Sequence, residues 1–283
     1  MTDTILNQLA KALQVSSSDL HLPNQLTHQA YRFDGHSLSA LTHIRTSKLD
    51  ELLGVDRQKN ALYANTLAFV QGLPANHALL TGARGSGKST LVRAMLHAFA
   101  SEGLKMIEVS FEGLGRIAEL ATGLRRFNER IILFCDDLSF GGEDDNFRSL
   151  KARLDGSLDS LDDNLIIYAT SNRRHLLPNR MNDNLAALED QVNKEVHPGE
   201  ALDQRLSMGE RFGLWLSFAP MDQALYFEIV RNGLSAYDLS FTQEIEVLAA
   251  RFASMRGGRS GRVAQQFVRQ HAGLELLKAK GLL

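Results

Sequence analysis

The chain predicts an α/β fold: a five-stranded parallel sheet flanked by helices, followed by a small C-terminal helical lid. Three observations carry that reading. From Leu49 to Phe218 short apolar runs alternate with segments of helical period, as in strands joined by crossover helices. One strand-to-helix junction in this stretch is glycine-rich and ends in Lys88-Ser89. Beyond Pro220 the apolar residues recur only at helical spacing.

The elements follow in order. Ile5, Leu6, Leu9, Ala10 and Leu13 repeat at helical spacing before Ser16-Ser17-Ser18-Asp19 interrupts them, so residues 1–46 predict a helical extension without chemistry of its own. Residues 56–70 predict a helix, 78–80 a strand and 89–99 a helix. The strand at 106–109 and the helix at 117–127 come next, then a strand at 131–135. A helix at 147–154 and strands at 165–169 and 213–218 complete the core. The polar stretch 173–198 predicts a long loop. Helices at 221–232, 242–255 and 261–280 make the lid, and the boundaries expected are 1–46, 47–220 and 221–283.

Composition narrows the class. The chain has 283 residues, a hydrophobic content of 44% and a formal charge of −2, which suits a globular core and argues against a nucleic-acid binder charged over its whole surface. Cys135 is the single cysteine, so no intrachain disulfide forms; among Ile131, Ile132, Leu133 and Phe134 it reads as a buried, inert thiol. No basic leader precedes an apolar run, and no apolar run is long enough to cross a bilayer. A cytoplasmic protein without a membrane partner is the expectation.

Gly82-Ala83-Arg84-Gly85-Ser86-Gly87-Lys88-Ser89 fits G-x-x-x-x-G-K-[ST] at every fixed position. Glycines let the backbone wrap so that its N–H groups face phosphate oxygens, and the following helix adds the positive end of its dipole. ATP and Mg²⁺ are therefore the expected ligands, held by these residues and Thr90. Lys88 would lie on the β- and γ-phosphates, Ser89 on the metal, and Arg84 in solvent. Ile131-Ile-Leu-Phe-Cys-Asp136-Asp137 has the form of a Walker B motif: Asp136 is assigned to the metal shell and Asp137 to the attacking water. Alone, such a strand end could equally be a solvated turn.

Asp136-Asp137, Ala169-Thr-Ser-Asn172, the segment 203–212 and Gly258-Arg-Ser-Gly-Arg262 occur in the order used by AAA+ ATPases, which this sequence resembles. The resemblance implies a P-loop NTPase of AAA+ type. It makes Asn172 similar to sensor 1, Arg211 in Glu-Arg-Phe-Gly similar to an arginine finger reaching a neighbouring subunit, and Arg262 similar to sensor 2. Gly54-Val55 resembles the segment that cups adenine, the alternative being a turn with a buried valine. Arg173 and Arg174 either act on phosphate or at a subunit interface, or belong to a solvated loop. Thr170-Ser-Asn-Arg-Arg-His-Leu, Ser207-Met-Gly-Glu-Arg-Phe-Gly-Leu-Trp-Leu and Cys135-Asp-Asp-Leu-Ser-Phe look like the bacterial domain-of-unknown-function family 815, from Leu49 onward. That family is one of predicted AAA+ ATPases.

Asp137 departs from the glutamate usual in AAA+ enzymes. Its shorter side chain makes slow hydrolysis an expectation, since a misplacement near 1 Å can cost about a hundredfold. Other signals are set aside. Gly113-Leu-Gly115-Arg-Ile-Ala118 imitates a dinucleotide fingerprint, but the phosphate site is already claimed. There is no H-E-x-x-H and no G-x-S-x-G. Glu143-Asp144-Asp145 reads as a solvated turn, Phe111-Glu112-Gly113 is a poor pore loop, and Arg251, Arg256, Arg259 and Arg269 read as surface charges. The reading is a homo-oligomeric Mg-ATP-dependent ATPase acting on a protein or nucleic-acid target. An ATP-gated switch is the alternative, and a small-molecule kinase leaves Asn172, Arg211 and Arg262 unexplained.

Overall fold

Seven strands form one sheet in the order β2-β1-β4-β5-β6-β3-β7. The computed structural model describes residues 20–44, 47–138, 163–172 and 211–283. The expectations for residues 5–13, 147–154 and 173–198, and for Glu143-Asp144-Asp145, lie outside them.

The strands are β1 (Ala30–Phe33), β2 (Leu38–Ala40), β3 (Ala78–Gly82), β4 (Lys105–Val109), β5 (Ile131–Cys135), β6 (Leu165–Ser171) and β7 (Leu214–Phe218). All pairings are parallel except β1 with β2. The five predicted strands thus form the contiguous run β4-β5-β6-β3-β7. Their apolar runs are continuous because both faces of the sheet are covered. Successive residues alternate between two cores: Ile131, Leu133 and Cys135 of β5 enter one, Ile132 and Phe134 the other.

Helices α1 (Asp56–Val70) and α2 (Lys88–Phe99) cover the second face, and α3 (Ile117–Leu124) covers the first. The lid consists of α4 (Gln223–Ser235), α5 (Gln243–Met255) and α6 (Gly261–Ala279), packed around Tyr226, Val230, Ala249 and Phe267. Each lid helix opens on a side-chain cap: Asp222, Thr242 and Ser260 accept from the N–H groups of Leu225, Ile245 and Val263. Among the described residues no helix is long and apolar enough to cross a membrane.

One expectation is corrected. Part of the stretch assigned to a helical extension instead widens the sheet, because Tyr31 and Phe33 enter one core, Ala30 enters the other, and β1 pairs with β4. The local signal is a hairpin turn at Asp34-Gly35. Gly35 has φ of 101°, and the Asp34 carboxylate accepts from the N–H groups of His36 and Ser37 at 2.8 and 2.7 Å. Those two donors hold the Asp34 carboxyl down at about 2.

Candidate functional site

Three neighbouring strands, β5, β6 and β3, run parallel and end side by side. Asp136-Asp137, Asn172 and the loop 83–87 follow their carboxyl ends, the edge at which open α/β sheets take ligands.

The loop needs its glycines. Gly82, Gly85 and Gly87 have φ of 142°, 74° and 99°. A Cβ on Gly82 would meet the Phe218 carbonyl oxygen at 2.4 Å, and one on Gly85 would meet the Ser260 side chain at 2.7 Å. Lys88 opens α2 and is 5% exposed. Its Nζ donates to the carbonyls of Gly82 and Ala83 at 2.7 and 2.8 Å and to Asn172 Oδ1 at 3.1 Å. Burial pulls its pKa below the usual lysine value, against the opposing charges of Asp137 and Asp136.

The two carboxylates separate by role of geometry. Asp136 turns inward. Its Oδ1 accepts from Ser89 Oγ at 2.5 Å and Thr170 Oγ1 at 2.6 Å, and its Oδ2 accepts from Arg93 Nη2 at 3.1 Å. Asp137 turns outward, with a side chain 57% exposed and a left-handed φ of 57°. Its N–H donates to Thr170 Oγ1 at 2.9 Å, and its Oδ1 accepts from Asn172 Nδ2. Asn172 therefore bridges Lys88 and Asp137. Arg84 stands 3.9 Å from Asp137 with a side chain 79% exposed, a weakly coupled pair in keeping with its expected solvent position.

The lid closes over this loop. Gly261 N–H donates to the Gly85 carbonyl at 2.9 Å, and Arg262 is exposed beside it on the first turn of α6. Between them lies a cleft of about 510 Å³, lined by loop residues 83–86 and by Met221, Tyr226, Phe227, Ala253, Arg259 and Ser260. Gly54 and Val55 do not line it. Gly54, with φ of 69°, lies under Leu225 of α4, and Val55 is buried in the core. Thr90 is half-buried in the first turn of α2.

Arg211 stands apart. It precedes β7, whose Leu214 pairs with Ala78 at the start of β3, whereas the loop follows Gly82 at its end. The strand between them spans on the order of 15 Å. The geometry thus gathers Lys88, Ser89, Asp136, Asp137 and Asn172, brings Arg262 near, and leaves Arg211 at the far edge. Arg93 was missed in the sequence, although its place one turn after Ser89 was a usable signal.

These residues fit a magnesium nucleotide. Ser86 Oγ is buried without a partner inside the loop, as a hydroxyl meant for a phosphate oxygen would be. Ser89 and Asp136 are the hard oxygen donors Mg²⁺ takes. No group of three or more His, Cys, Asp or Glu gathers among the described residues, so phosphate oxygens and water would complete the shell.

Comparison with known proteins agrees on the fold. The Holliday junction branch migration motor RuvB of Thermotoga maritima superposes with a TM-score of 0.52 at 19% identity, covering 84% of this chain and 67% of that one. The replication initiator DnaA, bound to AMPPCP and single-stranded DNA, gives 0.53 at 17% identity, covering 83% and 67%. No curated protein matches the sequence. The family described as "Protein of unknown function (DUF815)" matches residues 26–275, reaching into the stretch expected to lie outside it. With that match over most of its length and the fold of AAA+ P-loop NTPases, the chain belongs to the DUF815 family.

Proposed function

We propose that this protein is a Mg²⁺-dependent ATPase that works as a homo-oligomer. The observation that carries the reading is the convergence of Lys88, Ser89, Asp136, Asp137 and Asn172 at the ends of three adjacent strands, around a loop with an orphaned Ser86 hydroxyl. Bound Mg-ATP supplies the anhydride bond and the cation that neutralises its phosphates. Lys88 exchanges its carbonyl partners for phosphate oxygens, and the loop amides orient the chain of phosphates. Ser89 and Asp136 hold the metal side. Asp137, steadied by Asn172, orients the water, and Arg262 follows the nucleotide from the lid.

The place of Arg211 before β7, at the end of the sheet away from its own loop, supports a role at the site of a neighbouring subunit, with turnover that depends on assembly. The work is directed at a protein or nucleic-acid target. Turnover per subunit, measured against protein concentration, tests this for wild type, Lys88→Ala and Arg211→Ala. Activity that climbs with concentration in wild type and stays flat in both variants is expected. An assembled Arg211→Ala protein with full turnover would refute the shared site.

A second reading is an ATP-gated switch. The Asp137 carboxylate is short and already engaged by Asn172, which favours binding over hydrolysis. Negligible turnover at every concentration, with ATP still bound, would select it.

A further inference from the structure

The phosphate-loop helix carries a cation that the proposed chemistry does not use. Arg93 follows Ser89 by four residues, one turn along the same face of α2, and both side chains address Asp136. Ser89 and Thr170 hold Oδ1, and among the described residues Arg93 alone holds Oδ2. The guanidinium is kept there from the sheet side. Its central carbon lies 5.4 Å from the centre of the Phe134 ring, and Phe134 is fully buried. Phe134 and Asp136 are two residues apart at the end of β5 and so share a face, the one that α2 covers. The side chains of Arg93 and Asp136 are 31% and 29% exposed, so water screens the pair only in part.

We infer that Arg93 is a resident counter-charge for the metal carboxylate and weakens the hold of the site on Mg²⁺. The inference rests on the Mg-ATP reading of this site. Without a cation, Asp136 and Asp137 bring two negative charges to one strand end, and Arg93 offsets the inner one. The same fixed positive charge repels a divalent cation approaching Asp136. Nucleotide phosphates restore the negative charge that Arg93 cancels, so metal and nucleotide enter together and the empty site does not collect metal. Arg93 acts through Asp136 and is a positioning residue.

A gain in metal affinity separates this role from a structural one, because damage to the site can only weaken binding. The test uses the full chain as wild type, Arg93→Met and Arg93→Lys, with Mn²⁺ as probe and the non-hydrolysable analogue AMP-PNP at saturation. Bound Mn²⁺ is read by electron paramagnetic resonance. Arg93→Met should reach half-saturation at about tenfold lower Mn²⁺, the size of a partly screened charge repulsion, while Arg93→Lys stays within about twofold of wild type. Should Arg93→Met fail to fold, Arg93→Gln, equally neutral, carries the comparison. Equal or weaker Mn²⁺ binding by the neutral variant, with AMP-PNP still bound, overturns the role of Arg93 and leaves the ATP reading standing. Wild type that takes up no AMP-PNP at all overturns the ATP reading, and this inference with it.

Discussion

The backbone N–H of Gly261 donates to the carbonyl oxygen of Gly85 across 2.9 Å, tying the first turn of the last lid helix to the phosphate loop. The contact needs Gly85 twice over, for its φ of 74° and for the closeness of Ser260. Gly85→Ala should lower the melting temperature and weaken ATP binding by tenfold or so, from left-handed strain of about 1–2 kcal/mol plus displacement of the lid. Gly103→Ala isolates the strain, because Gly103 has φ of 88° with nothing within 4 Å of an added Cβ and does not line the cleft. Equal losses of ATP affinity in the two variants would sink the lid argument.

Lys88 should separate binding from stability. Its ammonium is buried and its pKa is pulled down by that burial, so the charge is held at a cost to the fold. Lys88→Met is expected to melt no lower than wild type while binding ATP at least tenfold more weakly, on the scale of a lost charge-assisted contact of about 1.5–3 kcal/mol. Calorimetry and equilibrium titration check the two halves. A variant that unfolds would mean that the lysine is structural.

Thr170 serves both aspartates from one hydroxyl, donating to the Asp136 carboxylate and accepting from the Asp137 backbone N–H, in a position 1% exposed. Thr170→Val keeps the shape and removes both bonds. A stability loss of about 1–3 kcal/mol is expected, together with slower turnover, because the Asp137 N–H loses its acceptor. Denaturant unfolding measures the first and phosphate release the second; unchanged turnover would show that Thr170 does not hold the catalytic geometry.

Trp215 is the one tryptophan of the chain, and its Nε1 donates to Thr81 Oγ1 at 2.9 Å, one residue before the loop glycine Gly82. ATP binding should therefore change its emission, saturably, and Lys88→Met should abolish the response at the same ATP concentrations. A flat emission in a wild type that binds ATP by calorimetry would show that the loop does not move β3.

Much of this was legible in the sequence because it is local. The bounds of α1 and β5, Asp56–Val70 and Ile131–Cys135, coincide with those the apolar pattern predicts. A strand or helix declares itself within a window of a few residues, through the period of its buried side chains. The loop Gly82 to Ser89 was legible for a related reason: a backbone with positive φ at Gly82, Gly85 and Gly87 tolerates few residues other than glycine. The burial of Cys135, whose thiol is pushed up to about 12 by desolvation, followed from its apolar neighbours.

Tertiary structure decided the rest, because pairing between distant segments leaves no periodic trace. Tyr31 and Phe33 became strand residues once β4 offered a free edge, although their run is only four residues long. Their order along the strand assigned Asp136 and Asp137 different roles, but the packing of α2 on β5 supplied their partners, Ser89 and Arg93 for the first, while β6 brought Asn172 to the second. The docking of Gly261 on Gly85 joins residues 176 positions apart through two backbone atoms that every sequence possesses. The sequence by itself determined which residues carry the amides, hydroxyls and charges proposed to meet phosphate and metal. The fold determined which of them meet, because side-chain direction and distance depend on how helices and strands pack rather than on their order.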